Sequence, residues 1–352
     1  MRRSLLSFFW CVGLAAAVAC GGSNGGSGFG GDDGGSGSGS GSGAGTGSGT
    51  GSGSGSGTGS GNGGSIGGGI ADGGPPGSDG CSDAAKLVYV LSEENDLYSF
   101  NPPAKTFTKI GALKCSAQGM TPNSMAVSRD AVAWVNYTSA DDSMGAIFKV
   151  STTDASCQST NVSLQQGWTR LGMGFSTDSA TSTSETLFVA ATGNGINIPL
   201  PPIPGFDAGF PGGGGAQGLG KLDLTSQTLT PIGNFTGSLA GQSAELTGTG
   251  DGRLFGFFTT TPVVVAEIDK TSGATSNPAQ LSAVETPTAW AFSFWGGDFY
   301  LYTSPGTPNR TSNVTHYSPS NNMVDTAYMT NVGFNIVGAG VSTCAPTTAP
   351  PK

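Results

Sequence analysis

Histidine is all but missing: His316 is the one example in 352 residues. A Ser-His-Asp hydrolase, a His-ligated zinc enzyme and a His general base all need that residue in a cleft. His316 falls instead in a strand, at a position that other copies of the same repeat fill with Ser99, Lys149, Asp223 and Glu267. Such variation reads as a solvated strand face. Charge is scarce too. Charged residues make up 11% of the chain, the net charge is −9, and Lys and Arg nowhere cluster. That argues against nucleic acid and anionic membrane surfaces as partners. There is no Cys-x-x-Cys pair, which argues against a zinc site. After the first twenty residues no apolar run approaches the length of a membrane-spanning helix.

Those first residues carry an address. Arg2 and Arg3 precede an apolar stretch from Leu5 to Val18, too short for a permanent span, and residues 1–19 read as an export signal. The stretch ends in Ala17-Val18-Ala19-Cys20. This resembles the lipobox of bacterial lipoproteins, with Ala17 where the family usually has Leu. The resemblance implies that Cys20 is acylated, becomes the mature N-terminus and anchors the chain to a membrane. Ordinary cleavage with a free Cys20 is the alternative. Gly21 follows Cys20 where Asp would hold a lipoprotein at the inner membrane, so the same resemblance implies the outer membrane.

Residues 20–80 form the tether. Gly supplies about half of Gly21 to Gly80, and Ser most of the rest. Such a segment buries too little apolar surface to offset ordering its backbone. As a flexible coil it reaches roughly 40–45 Å. Its many G-x-G matches follow no strand and open no helix, so they carry no phosphate-binding meaning.

The remainder, 81–344, is built from short strands punctuated by Gly, Pro, Asn and Asp, and shows no helical period. One motif recurs: Met125-Ala126-Val127-Ser128, Met173-Gly174-Phe175-Ser176, Trp290-Ala291-Phe292-Ser293 and Ala339-Gly340-Val341-Ser342. A degenerate copy lies at Glu245-Leu246-Thr247-Gly248-Thr249. After most copies comes a turn with Asp130, Asp178, Asp251 or Asp298, read as a turn former. An apolar strand follows, then a third strand, then a fourth that is clearest at Thr106 to Gly111 and Thr228 to Gly233. Five units of four strands resemble the blades of a β-propeller. The fold class is therefore all-β, a five-bladed propeller. The first unit lacks an innermost strand and the last motif copy has nothing after it, so the C-terminal strand is expected to close the ring. Residues 345–352 are then a disordered tail.

Closure also orders the cysteines. Cys11 leaves with the signal and Cys20 takes lipid, which leaves four that can pair in three ways. Cys344 stands where other copies have a turn Asp, beside the strand that Cys81 precedes. The expected bonds are Cys81–Cys344 and Cys115–Cys157, as suits an exported chain. No cofactor is expected; Glu93-Glu94 and Asp141-Asp142 leave a weak calcium site as an open option.

On a propeller, the second-to-third-strand loops share a face with the links between blades. That face would gather Glu93, Trp168, Arg170 and the insertion at 193–218, with its Phe206 and Phe210. These five are the candidate ligand-binding residues, the three aromatics as apolar anchors. The leading expectation is a monomeric, non-enzymatic binding or interaction module on the outer membrane. Its partner would be an envelope protein or a glycan. The alternative is an extracytoplasmic enzyme acting on a polysaccharide or peptide through loop carboxylates. Acids gathered with Arg or Tyr at one mouth of the ring would favour that alternative.

Overall fold

The computed structural model describes residues 80–191, 218–306 and 310–349. Cys20, the tether, and most of the 193–218 insertion with Phe206 and Phe210 lie outside the described residues. Five antiparallel sheets of four strands make up the domain. The first contains β1 (Val88–Ser92), β2 (Asp96–Asn101) and β3 (Thr106–Ala112); the second runs β4 (Thr121–Val127), β5 (Val132–Thr138), β6 (Gly145–Ser151) and β7 (Cys157–Ser159). The third holds β8 (Leu171–Thr177), β9 (Glu185–Ala191), β10 (Leu219–Asp223) and β11 (Thr228–Gly233). The fourth holds β12 (Ala244–Gly248), β13 (Leu254–Phe258), β14 (Val264–Ile268) and β15 (Thr275–Gln280). The fifth holds β16 (Ala289–Trp295), β17 (Asp298–Ser304), β18 (Asn313–Ser318) and β19 (Met323–Met329). The last strand, β20 (Ile336–Val341), returns to pair with β1, Val341 opposite Val88. The fold is a five-bladed β-propeller closed by its C-terminal strand.

Local chemistry sets each turn. Between β16 and β17 the loop is Gly296-Gly297, both at positive φ, the pair that a two-residue hairpin of primed type needs. Between β4 and β5 the Ser128 hydroxyl donates to the Asp130 carboxylate, and the Ser128 amide to the Val132 carbonyl at 2.9 Å. Thr249 and Asp251 repeat the device between β12 and β13. These Asp residues are the turn formers their spacing implies.

Ring closure appears again in the core, which divides into five apolar clusters, one between each pair of neighbouring blades. Leu91, Leu97, Met125 and Val135 join blades one and two. Trp134, Met173, Phe175 and Leu187 join two and three. Phe188, Leu246 and Phe258 join three and four; Phe257, Phe292 and Phe299 join four and five. Val88, Phe100, Tyr300 and Tyr302 join five back to one. Each sheet thus buries both faces against neighbours, which explains strands such as β8 and β13 that are buried along their whole length. Near the axis small residues in and beside the motif let backbones meet. A Cβ on Gly172 would lie 2.0 Å from the Ala244 carbonyl oxygen, and one on Gly248 2.1 Å from that of Phe175.

Both expected disulfides are present, Cys81–Cys344 and Cys115–Cys157. Beside the first sits a carboxylate the sequence did not single out. Glu185, at the start of β9, accepts the Arg129 amide at 2.7 Å and the Thr343 hydroxyl at 2.7 Å. Arg129 in turn reaches Cys81 Sγ at 3.4 Å. One side chain of blade three thus ties blade two to the closure of blade one. Burial pushes its carboxyl up to about 7, against the opposing pull of the Arg129 amide.

That shift fixes a pH dependence. A folded-state value above the unfolded one means the native state holds the proton more tightly. The stabilisation is complete below about pH 4.5 and is lost as pH rises through about 7, an effect of up to about 3 kcal/mol. Burial pushes Glu245 the same way. Hydrogen bonds from Ser139 and Thr271 hold Asp141 and Asp269 near 2, so their contribution is lost only as pH falls through the acid range toward 2. The thermal midpoint is therefore expected to be highest near pH 4–5 and to drop toward pH 8. Glu185→Gln should shrink the drop. Calorimetry at pH 5 and pH 8 checks this; a midpoint higher at pH 8 would refute it.

Candidate functional site

The inner strands β4, β8, β12, β16 and β20 all begin at the same end of the ring, here the upper end. The links between blades and the second-to-third-strand loops also lie there. At the axis these elements enclose a cavity of about 270 Å³. Every blade contributes, from its inner strand or the link just before it: Thr121 to Asn123, Arg170, Glu245, Thr288 to Trp290, and Asn335 with Val337. Glu93 from the β1–β2 loop and Arg310 complete the lining.

Two ion pairs stand in and beside this mouth. Arg310 donates to Glu93 Oε1 at 2.6 Å, and the Asn335 amide donates to Glu93 Oε2 at 2.9 Å. Arg170 Nε donates to Asp142 Oδ1 at 2.7 Å, and Arg170 Nη1 to Asn123 Oδ1 at 2.6 Å. Asn123 is itself held by the Leu171 carbonyl, at 2.8 Å. These are charge-assisted bonds on planar groups, which fix orientation as well as position.

Glu245 lies deeper and is 3% exposed. It sits on the inner strand of blade four, and its Oε2 accepts the Ser124 hydroxyl of blade two at 2.8 Å. Its side chain therefore reaches past the inner strand of blade three. Gly172 permits the approach, because a Cβ there would fall 2.9 Å from Glu245 Cα. Burial pushes this carboxyl well above the ordinary carboxylate range, against the pull of Ser124, the Met173 amide and Arg170. Trp290 also lines the cavity, and its shielded indole N–H has no acceptor among the described residues.

Of the five candidate ligand-binding residues, Glu93 and Arg170 come together in this mouth. Trp168 does not join them. It is 6% exposed and belongs to the core between blades two and three, with its ring against Gly220, where a Cβ would meet it at 2.9 Å. Gly167, at φ +84°, turns the chain between Gln165 and Trp168; Trp168 then enters the core and Arg170 reaches the mouth. The expectation of an exposed anchor at Trp168 is corrected accordingly. Phe206 and Phe210 lie outside the described residues.

His316 also differs from expectation. Its side chain is 16% exposed rather than solvated, stacked on Tyr300 and 2.8 Å from Asp298 Oδ2. Tyr300 and Tyr328 of the same blade cover its ring, each with its centroid 5.1 Å away. Among the described residues no group of three or more acidic, His or Cys side chains is placed to hold a metal ion. Nor is any helix there long and apolar enough to cross a membrane.

Glu245, Trp290, Arg310 and Asn335 are the mouth residues that sequence reasoning missed. For Glu245 a signal was present: it is the one ionisable side chain in any copy of the innermost-strand motif.

No family model matches the chain, and no curated protein matches it. Solved structures do. TolB from Acinetobacter baumannii is similar at 15% identity and a TM-score of 0.38, over 69% of this chain and 53% of that one. Hydrazine synthase from Kuenenia stuttgartiensis is similar at 13% identity and a TM-score of 0.35, over 69% of this chain and 66% of that one. The chain thus spans about half the length of TolB. Likeness at this level carries no argument about function.

Proposed function

We propose that this chain is an extracytoplasmic binding module, lipid-tethered to the outer membrane, whose ligand docks at the upper mouth of the propeller. One observation carries the reading: all five blades deliver polar or aromatic side chains to a single axial cavity, and two ion pairs pre-organise it. Binding sites gain affinity when their polar groups need no ordering on contact. Two disulfides support an oxidising compartment. The tether reading rests on Cys20 and the Gly/Ser run after it. A Cys20→Ser chain should lose radioactive palmitate and leave the outer-membrane fraction; retained label would end that part of the proposal.

The docking face is tested with opposed variants. Arg310→Ala removes an upper-face group that is half exposed. Lys149→Ala removes a group from the cavity at the other end of the ring, beside Ser128 and Glu185. Against purified envelope polysaccharide and envelope protein fractions, Arg310→Ala should weaken binding about tenfold or more. Lys149→Ala should change nothing. The reverse pattern would move the site to the lower face.

Glu245 supports a second reading. A carboxyl that burial pushes up and an ion-paired carboxylate line one cavity, and hydrolytic sites divide acid and base roles between two such groups. On that reading the chain cleaves a polysaccharide or peptide, and Glu245→Gln abolishes turnover while leaving binding intact.

A further inference from the structure

We propose that the axial mouth takes the end of a neutral glycan chain, with Trp290 as the residue that recognises it. The proposal rests on the mouth being the binding site, and three features of the cavity select the ligand class.

The first is charge. Arg310 is spent on Glu93 and Arg170 on Asp142, at 2.6 and 2.7 Å. Glu245 lies deeper, its Oε2 accepting the Ser124 hydroxyl at 2.8 Å. Neither guanidinium at the mouth is left without a counter-charge. An anion such as phosphate would have to displace a carboxylate from its guanidinium, and an ammonium group a guanidinium from its carboxylate. A peptide terminus carries one or the other. A neutral hydroxyl-bearing ligand disturbs neither pair, because a paired guanidinium or carboxylate can still hydrogen-bond to hydroxyls.

The second is the unmet donor. The Trp290 N–H is shielded from solvent and has no acceptor among the described residues. A buried donor without a partner is costly, and native structures rarely keep one without a reason. A ligand oxygen entering the cavity would complete it. The third is amphipathicity and size. Trp290, Ala289, Pro122 and Val337 add apolar surface to a cavity lined otherwise by polar groups. A sugar ring has the matching division, with hydroxyls at its edge and C–H groups on its face. At about 270 Å³ the cavity falls below the roughly 300–1,000 Å³ of pockets for drug-sized ligands, which fits a terminal residue better than an internal stretch.

The test is calorimetric titration of the full chain. The probes are glucose, galactose and N-acetylglucosamine, their β1,4-linked dimers to tetramers, inorganic phosphate and triglycine. At least one saccharide is expected to bind with Kd at or below about 1 mM. Trp290→Phe keeps an aromatic ring and removes the N–H; it should weaken that binding about tenfold. Arg310→Ala, at a half-exposed position where folding is not at stake, should weaken it as well. Saccharide binding that ignores both variants overturns the site and the proposal together. Phosphate or triglycine binding that is lost in Arg310→Ala, with no saccharide bound, keeps the site and overturns the glycan. No binding of any saccharide up to about 10 mM overturns the glycan proposal outright.

Discussion

Gly172→Ala should cost about 3–5 kcal/mol, near the upper end for a single substitution. The added Cβ would lie 2.0 Å from the Ala244 carbonyl oxygen and 2.9 Å from both the Ala244 carbonyl carbon and Glu245 Cα. All three are backbone atoms of the neighbouring inner strand, and no flexible side chain can give way. Blades three and four would have to part at the axis, where the other inner strands hold them. The same shift would move Glu245 away from Ser124, so the mouth should be damaged along with the fold. Gly111→Ala is the control. There the Cβ would meet Ala155 Cβ at 3.2 Å, on the outer strand β3, and the cost should stay below about 1 kcal/mol. Urea unfolding of both variants decides it. Equal stability of the two would mean that the inner strands are not packed backbone to backbone.

Loss of the Cys81–Cys344 bond should have the next largest effect. The two residues are 263 apart in sequence, and chain-entropy estimates for a loop of that length give roughly 5 kcal/mol as an upper figure. For a domain of this size that is a fall of about 10–20 °C in thermal midpoint. Cys115–Cys157 closes a separation of only 42 and joins neighbouring blades, so its removal should cost less, at most about 4 kcal/mol. The two also differ in kind. Only Cys81–Cys344 pins β20 to β1, and without it the ring can open by releasing one strand. The Cys81→Ser, Cys344→Ser double variant should therefore exchange the β20 amides early, ahead of global unfolding. Non-reducing peptide mapping checks the pairing; Cys81 joined to Cys115 would contradict closure by the C-terminal strand.

Much of this ring is legible in the sequence because the repeat is physical. Each blade needs a small residue near the axis, a turn former after it and an apolar second strand between two neighbours. Those needs recur as Ala126, Gly174, Ala291 and Gly340, then Asp130 and its counterparts, then runs such as Leu254 to Phe258, whose ends match β13. The outer strand β7, Cys157–Ser159, left no trace. It is three residues long and touches solvent, so nothing in it selects apolar side chains.

The site was half legible. Glu93 and Arg170 lie on links that the blade topology sends to one face. Trp168 lies two residues from Arg170 yet packs in the core while Arg170 lines the mouth, and sequence distance does not report direction. Trp290 heads a motif copy whose counterparts, Met125 and Met173, are fully buried, so the repeat hid its place at the mouth. Glu245 stood out only as an irregularity. An acid in the innermost strand violates the pattern of the fold, and such violations tend to mark function.

The central claim is that ligand docks where the five inner strands begin. Hydrogen–deuterium exchange of the full chain, with and without bound envelope saccharide, tests it most directly. The expected protection falls at 121–124, 169–173, 243–246, 288–291 and 335–338, one segment from each blade around a single mouth. Protection confined to the lower turns at 128–131 and 249–252, or to outer strands such as β3 and β19, would contradict it.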